Sequence, residues 1–294
     1  MEIFGVPSQA LFAQLLVGVV NGAFYALLSL GLAVIFGMLH IVNFAHGVLY
    51  MMGAFVTWFL AARFGLSYWV ALVVAPLVVA ALGMLVEMLL LRRSYKLDPM
   101  YGLLLTFGIA LVVEGLFREG YGVTGFPYSA PAELQGGTNL GFMFLPNYRA
   151  WVVLASVLAC AGVWYVVERT RLGSYLRAAT ENVMLVRAFG VNVPRMITLT
   201  YGLGAGLAAL GGVMAAPITH LNVMMGSNIV IVVFAVVVVG GMGSILGAVV
   251  SGFLLGMIEG LTKVFYPEAS SLAIFVVMSL VLLVKPAGLF GKGE

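Results

Sequence analysis

Of the 294 residues, 63% are hydrophobic and 9% charged, with a mean hydropathy of +1.14, far from the roughly 25% charged residues of soluble domains. The composition excludes a soluble globular chain, and the single cysteine, Cys160, excludes an internal disulfide or a cysteine-based metal cluster. The formal charge of +3 needs no nucleic-acid partner, because the position of the basic residues along the chain accounts for it.

The amino terminus, MEIFGVPSQA, lacks a basic region and a small-residue cleavage site, so the first apolar segment reads as a retained helix rather than a removable signal. No Asp, Glu, Lys or Arg occurs between Glu2 and Arg63, or between Arg195 and Glu259. One crossing needs about 20 apolar residues, so each of these tracts holds two or three. Apolar segments fall near 10–38, 47–62, 68–91, 100–117, 149–167, 196–215, 228–240, 245–262 and 271–284. They predict an all-α, polytopic bundle of eight or nine spanning helices in a single transmembrane domain, residues 1–294. The alternation of a membrane barrel is missing. The first segment either crosses with tilt or breaks at Asn21-Gly22, and its start is expected outside.

HIVNFAHGVLYMMGA follows, where His40, Asn43 and His46 interrupt a long apolar run. Asn43 is a good helix N-cap, with Gly47 one turn on. Sunk below the membrane surface, such a turn offers free N–H groups to a carboxylate and forms part of a translocation path. At the interface it is only a cap, with the histidines satisfying their neighbours. Glu87 reads as a residue snorkelling toward the interface ahead of Arg92. Glu114 with Arg118, and Glu259 with Lys263, read as local i, i+4 pairs.

Ten of the 14 basic residues gather in three places: Arg92, Arg93 and Lys96; Arg169, Arg171, Arg177, Arg187 and Arg195; Lys285 and Lys292. These mark the cytosolic side, with the carboxyl terminus inside. The Gly-, Pro- and aromatic-rich stretch 119–148 is then an ordered external cap, either a lid or a docking surface for a soluble partner. Residues 171–191 read as one short amphipathic cytosolic helix. Leu176, Met184, Leu185 and Ala188 line one side, Arg177 pairs with Glu181, and Gly190 terminates it before Pro194 opens the next span. Such a helix lies on lipid headgroups or meets a cytosolic partner.

Glycine, 37 residues, is placed for packing: Gly252, Gly256 and Gly260 recur every four residues, as do Gly243, Gly247 and Ser251, and Gly202 with Gly206. A faint internal echo relates Gly47-x5-Gly53-Ala54 to Gly241-x5-Gly247-Ala248. No H-E-x-x-H, G-x-S-x-G or phosphate-binding loop is present, so the chain reads as non-catalytic, with no cofactor of its own and any ATP and magnesium bound by another chain.

NFAHGVLYMMGAF, RAATENVMLVRAFGVN and GGMGSILGAVVSGFLLGMIEG closely resemble the permease subunits of branched-chain amino acid ABC importers, over nearly the whole chain. The resemblance implies a prokaryotic inner (plasma) membrane, a related second permease forming a heterodimer, two cytosolic ATPase subunits, and a periplasmic or surface binding protein that delivers substrate. The pattern of Arg177, Ala178, Asn182, Ala188 and Gly190 resembles the cytosolic loop by which such permeases engage their ATPases, although Glu181 stands nine residues from Gly190, outside the strict form of that loop. Glu181 and Met184, one turn apart, are the expected engaging residues, with Arg177 and Arg187 offering partners for acidic groups. Leucine, isoleucine and valine are the expected substrates; relatives also carry other amino acids, urea and short amides. An ion-coupled amino acid carrier working alone is the alternative, and an assembly scaffold a third, which leaves the amphipathic loop unexplained.

Overall fold

Among the described residues, eight helices are long and apolar enough to cross a bilayer. The structure is a computed structural model that describes residues 2–3, 6–95, 97–141 and 143–291, with the side chains of that range except at 2, 3, 6, 180, 181 and 183. Lys96, Lys292 and the side chain of Glu181 therefore lie outside the described residues.

Two short strands, β1 (Glu2–Ile3) and β2 (Val6–Pro7), pair antiparallel ahead of α1 (Ser8–Leu39). α1 runs unbroken through Asn21-Gly22 for 32 residues. At 1.5 Å per residue that is about 48 Å, against a hydrocarbon core of about 30 Å. Then come α2 (Ala45–Phe64), α3 (Tyr68–Val86), a π-helical turn (Glu87–Leu91), α4 (Arg92–Ser94) and α5 (Pro99–Tyr121). The 119–148 stretch carries a 3-10 turn (Ala132–Leu134) and the antiparallel hairpin β3 (Gly137–Asn139) and β4 (Phe144–Pro146). The remainder is α6 (Asn147–Arg169), α7 (Arg171–Glu181), α8 (Val183–Ala188), α9 (Val193–Thr219), α10 (Met225–Gly240), α11 (Ile245–Phe265) and α12 (Ser270–Val284).

The ends obey local rules. Asp98 accepts from the Met100 N–H at 2.9 Å with Pro99 opening α5, and Asn192 accepts from the Arg195 N–H at 3.1 Å with Pro194 in the first turn of α9. α10, with 16 residues, is too short to cross alone. Large apolar side chains on α3, α5 and α12, among them Leu77, Leu111, Leu116 and Leu283, stay exposed, as lipid-facing positions should.

The chain forms two compact units. The first comprises Met1–Ser29, Ala130–Cys160 and Val232–Glu294. In it α1 and α11 meet backbone to backbone: a methyl group on Gly252 would come within 2.5 Å of the Ala26 Cα, one on Gly256 within 2.6 Å of the Gly18 oxygen, and one on Gly260 within 2.5 Å of the Gln14 oxygen. Small residues every fourth position make this approach possible in lipid. Gly243, by contrast, is in the turn before α11 with a φ of 83°. Ala235, Val236, Val239, Leu255 and Ile274 form this unit's apolar core. After α12 the chain turns back, and the Leu289 and Phe290 N–H groups donate to the Val239 and Gly240 carbonyls at 2.8 and 3.1 Å, satisfying the end of α10.

The second unit comprises Leu30–Ser129 and Ala161–Ile231. Its heart is the packing of α2, α3 and α9.

Candidate functional site

The 32-residue α1 ends where His40 takes a φ of 52°, and the chain stays irregular until α2 starts at Ala45. His40 itself is exposed, its N–H donating to the Phe36 carbonyl at 2.8 Å and its ring tilted against Phe36 at 6.0 Å. Asn43 is buried, and its Oδ1 accepts from the Ala45 N–H at 3.1 Å. The residue at the cap position is Phe44, whose N–H donates to the Thr106 hydroxyl at 3.2 Å, so Asn43 closes the turn one residue earlier than the sequence predicts. The Thr106 hydroxyl in turn reaches the Val42 carbonyl at 3.2 Å. The Asn43 Nδ2 donates to the Tyr201 hydroxyl of α9 at 3.2 Å. His46 is buried with its Cε1 edge toward Gly31, where an added methyl group would lie 3.1 Å from it. Gly47 and Gly226 of α10 leave no room for a side chain on either, since a methyl group on one runs into the carbonyl of the other. Asn43, His46 and Gly47 therefore share one buried turn, and His40 stands apart from them.

Tyr201 joins this turn to a second polar cluster that the sequence does not predict. It packs with Ile35, Leu91 and Tyr95, and the Tyr95 hydroxyl donates to Glu87 Oε1 at 3.0 Å. Glu87 does not snorkel: it is fully buried, because Arg92 Nε and Nη2 donate to it at 3.2 and 3.0 Å and the Thr198 hydroxyl of α9 donates at 2.7 Å. A spacing of five residues is out of register in an α-helix, but the Glu87–Leu91 turn is a π-helix, whose wider turn brings Arg92 over Glu87. Four donor contacts on one carboxylate make its burial tolerable in a low-dielectric interior. Burial first, and then the Glu87 charge, push the Tyr95 phenol up, so it stays a hydrogen-bond donor. Only Glu87 and Arg92, five apart, could have signalled this cluster; Tyr201 and Thr198 are indistinguishable from packing residues in the sequence.

The other two carboxylates make the predicted local pairs and one contact more. Arg118 donates to Glu114 at 2.9 Å, and the Ser227 hydroxyl of α10 donates to the other Glu114 oxygen. Lys263 donates to Glu259 at 2.5 Å, and the Tyr25 hydroxyl of α1 donates at 2.7 Å.

The 171–191 segment is two helices rather than one. Asn182 leaves helical geometry (φ −153°, ψ 98°) and caps α8, its side chain accepting from the Leu185 N–H at 2.9 Å. The break resets the helical phase and overturns the predicted apolar face. Leu176 packs inward with Ala179, Val186, Val193 and Met196, whereas Met184 (83% exposed), Leu185 and Phe189 point outward and Ala188 is exposed. Arg177 is held by the Val167 carbonyl and, at 3.4 Å, by Glu168. Gly190 ends the segment at a φ of 79°. Arg169, Arg171, Arg187 and Arg195 are exposed as well, so the segment and its flanks present an apolar knob together with cations.

Residues 14–284 match the family described as branched-chain amino acid transport system / permease component. The chain is similar to the high-affinity branched-chain amino acid transport system permease protein LivH of Salmonella typhimurium and to BraD of Pseudomonas aeruginosa, at 27% identity over 96% of each chain. It is also similar to LivM of Escherichia coli, a permease protein of the same kind of system, at 27% identity over 90% of this chain and 67% of that one.

Proposed function

The chain belongs to the permease component family of branched-chain amino acid transport systems, and from that premise we propose that it is the membrane-spanning permease subunit of an ATP-driven importer of branched-chain amino acids. The observation that carries the reading is the family match over residues 14–284, together with a chain of helices built to cross a bilayer. A related second permease completes the channel, since LivH-like and LivM-like chains both resemble this one. Two cytosolic ATPase subunits bind ATP and magnesium and carry out hydrolysis, and a binding protein delivers the amino acid at the 119–148 side. The protein lies in the prokaryotic inner membrane with its carboxyl terminus cytosolic, in keeping with the three basic clusters.

In this reading the turn at Asn43, His46 and Gly47 borders the route. Irregular backbone deep in a membrane protein is tolerated only where protein buries it or water reaches it, and this turn is held from α5 by Thr106 and from α9 by Tyr201. His40, at the exposed end of α1, stands at its mouth. Met184, Leu185 and Phe189 insert into an apolar depression on the ATPase, and Arg187 meets acidic groups at its rim. Asn182 and Gly190 fix the two ends of that knob, Arg177 holds it to the end of α6, and Glu181 is assigned to the same surface from its place in the sequence. Closure of the ATPases then moves the permease only through contacts that differ between their two states.

The test is uptake of labelled leucine into proteoliposomes. The complete complex with binding protein and internal ATP should accumulate leucine, and omission of the ATPase subunits should abolish it. Accumulation by this chain alone down an ion gradient would establish a secondary carrier instead.

A further inference from the structure

His40 and His220 are the only non-glycine residues with positive φ among the described residues, at 52° and 56°. Each sits immediately beyond a long apolar helix, α1 ending at Leu39 and α9 at Thr219. Each opens an irregular linker that leads into a second apolar helix, α2 at Ala45 and α10 at Met225. The two following helices then touch near their starts through Gly47 and Gly226, each occupying the space a side chain would need on the other. His40 corresponds to His220, and Gly47 and Gly226 follow them by seven and six residues, a correspondence different from the glycine echo seen in the sequence.

The linkers lie toward opposite ends of α9. Asn43 bonds Tyr201, two turns into the helix, whereas the second linker follows its last residue and pairs with the 119–148 side: Leu221 and Phe126 exchange backbone hydrogen bonds at 2.8 and 3.0 Å. Phe126 is itself packed against Trp58 at 4.7 Å. One helix, α5, grips both linkers. Thr106 binds the backbone of Val42 and Phe44, while Glu114, eight residues on, binds Ser227 in the first turn of α10, and Arg118 donates to the Met224 sulfur at 3.4 Å. A carboxylate at the start of α10 complements the N–H groups there.

We infer that residues 40–44 and 220–224 form two matched gates, and that Glu114 is the positioning residue that holds the second shut and in step with the first. A left-handed non-glycine residue persists only where its surroundings hold it, and such positions concentrate where a chain switches between states. The polar contacts of α5 supply that hold, and the Gly47–Gly226 crossing passes displacement of one linker to the other because no compressible side chain lies between them. The inference rests on the permease reading for what passes the gates; the pairing of the linkers is a property of the chain itself.

The experiment follows the linkers rather than uptake. In a Cys160→Ala background, single reporters Asn222→Cys and Val42→Cys are labelled by a maleimide in nanodiscs, where both faces are accessible. Ser227→Ala, Ser227→Thr and Glu114→Gln are each added to each reporter. Loss of a hydrogen bond to a charged group is expected to raise labelling at 222 by about tenfold or more, with a parallel rise at 42, for Ser227→Ala and Glu114→Gln. Ser227→Thr, which keeps the hydroxyl, should restore the parent rate. A rise at 222 alone would reduce Glu114 to a local cap and overturn the coupling, as would unchanged rates at both positions in correctly inserted protein. Because labelling needs neither substrate nor ATPase, a parallel rise in protein that fails to import leucine would count against the permease reading only.

Discussion

The α1–α11 contact and the turn around Asn43 solve the same problem, holding helices together in lipid, in opposite ways. At Gly252, Gly256 and Gly260 side chains are removed so that backbones touch, and the attraction is dispersion spread over many atoms. Around Asn43, Tyr201, Glu87 and Thr198 the contacts are few, directional and polar. The first kind tolerates no added atom and has one favourable arrangement. The second can exchange partners, which is what a moving route requires.

Changes that violate the close contact should have the largest effect. Gly256→Leu places its side chain inside the Gly18 and Gly22 backbone of α1 and should cost about 3 kcal/mol or more, seen as loss of inserted, monodisperse protein. Glu87→Ala leaves the Arg92 guanidinium without its carboxylate; as Arg92 is 39% exposed, the cost should fall below that of a fully buried pair, about 2 kcal/mol. Glu87→Ala/Arg92→Met should regain most of that loss in thermal unfolding, and a double variant no better than the single one would mean that the pair is not the unit that matters. His220→Gly should raise stability by about 1 kcal/mol by relieving left-handed backbone, and an unchanged melting temperature would show that the position is unstrained. Met184→Ser/Phe189→Ser should change stability least, within about 0.5 kcal/mol. It should nevertheless lower the ATPase copurified with the permease, and an unaltered subunit ratio would remove the knob from the coupling surface.

The sequence exposed the packing better than the polar architecture. Glycines at four-residue spacing read directly as a helix contact, and the i, i+4 pairs of Glu114 and Glu259 are fixed by α-helical geometry. The burial of Glu87 is not legible in the sequence because pairing at five residues depends on a π-helical turn that composition does not announce. The face of 171–191 differs from the one its spacing predicts because Asn182 is the cap of a second helix rather than a residue inside one, which turns Met184 and Leu185 outward. The matched linkers were invisible because their likeness lies in backbone dihedrals at His40 and His220, while the surrounding residues differ.

The central claim, that the polar turn at Asn43 serves passage rather than stability, is tested most directly by Asn43→Ala in the complete complex, measuring leucine uptake per inserted permease. Loss of the Asn43 contacts to Ala45 and Tyr201 should cost only about 1 to 2 kcal/mol of stability. The expected result is near-parent yield and melting temperature with uptake reduced by about tenfold or more, as when a barrier rises by 1.4 kcal/mol. Uptake per inserted molecule equal to the parent's, with any deficit explained by yield alone, would contradict it.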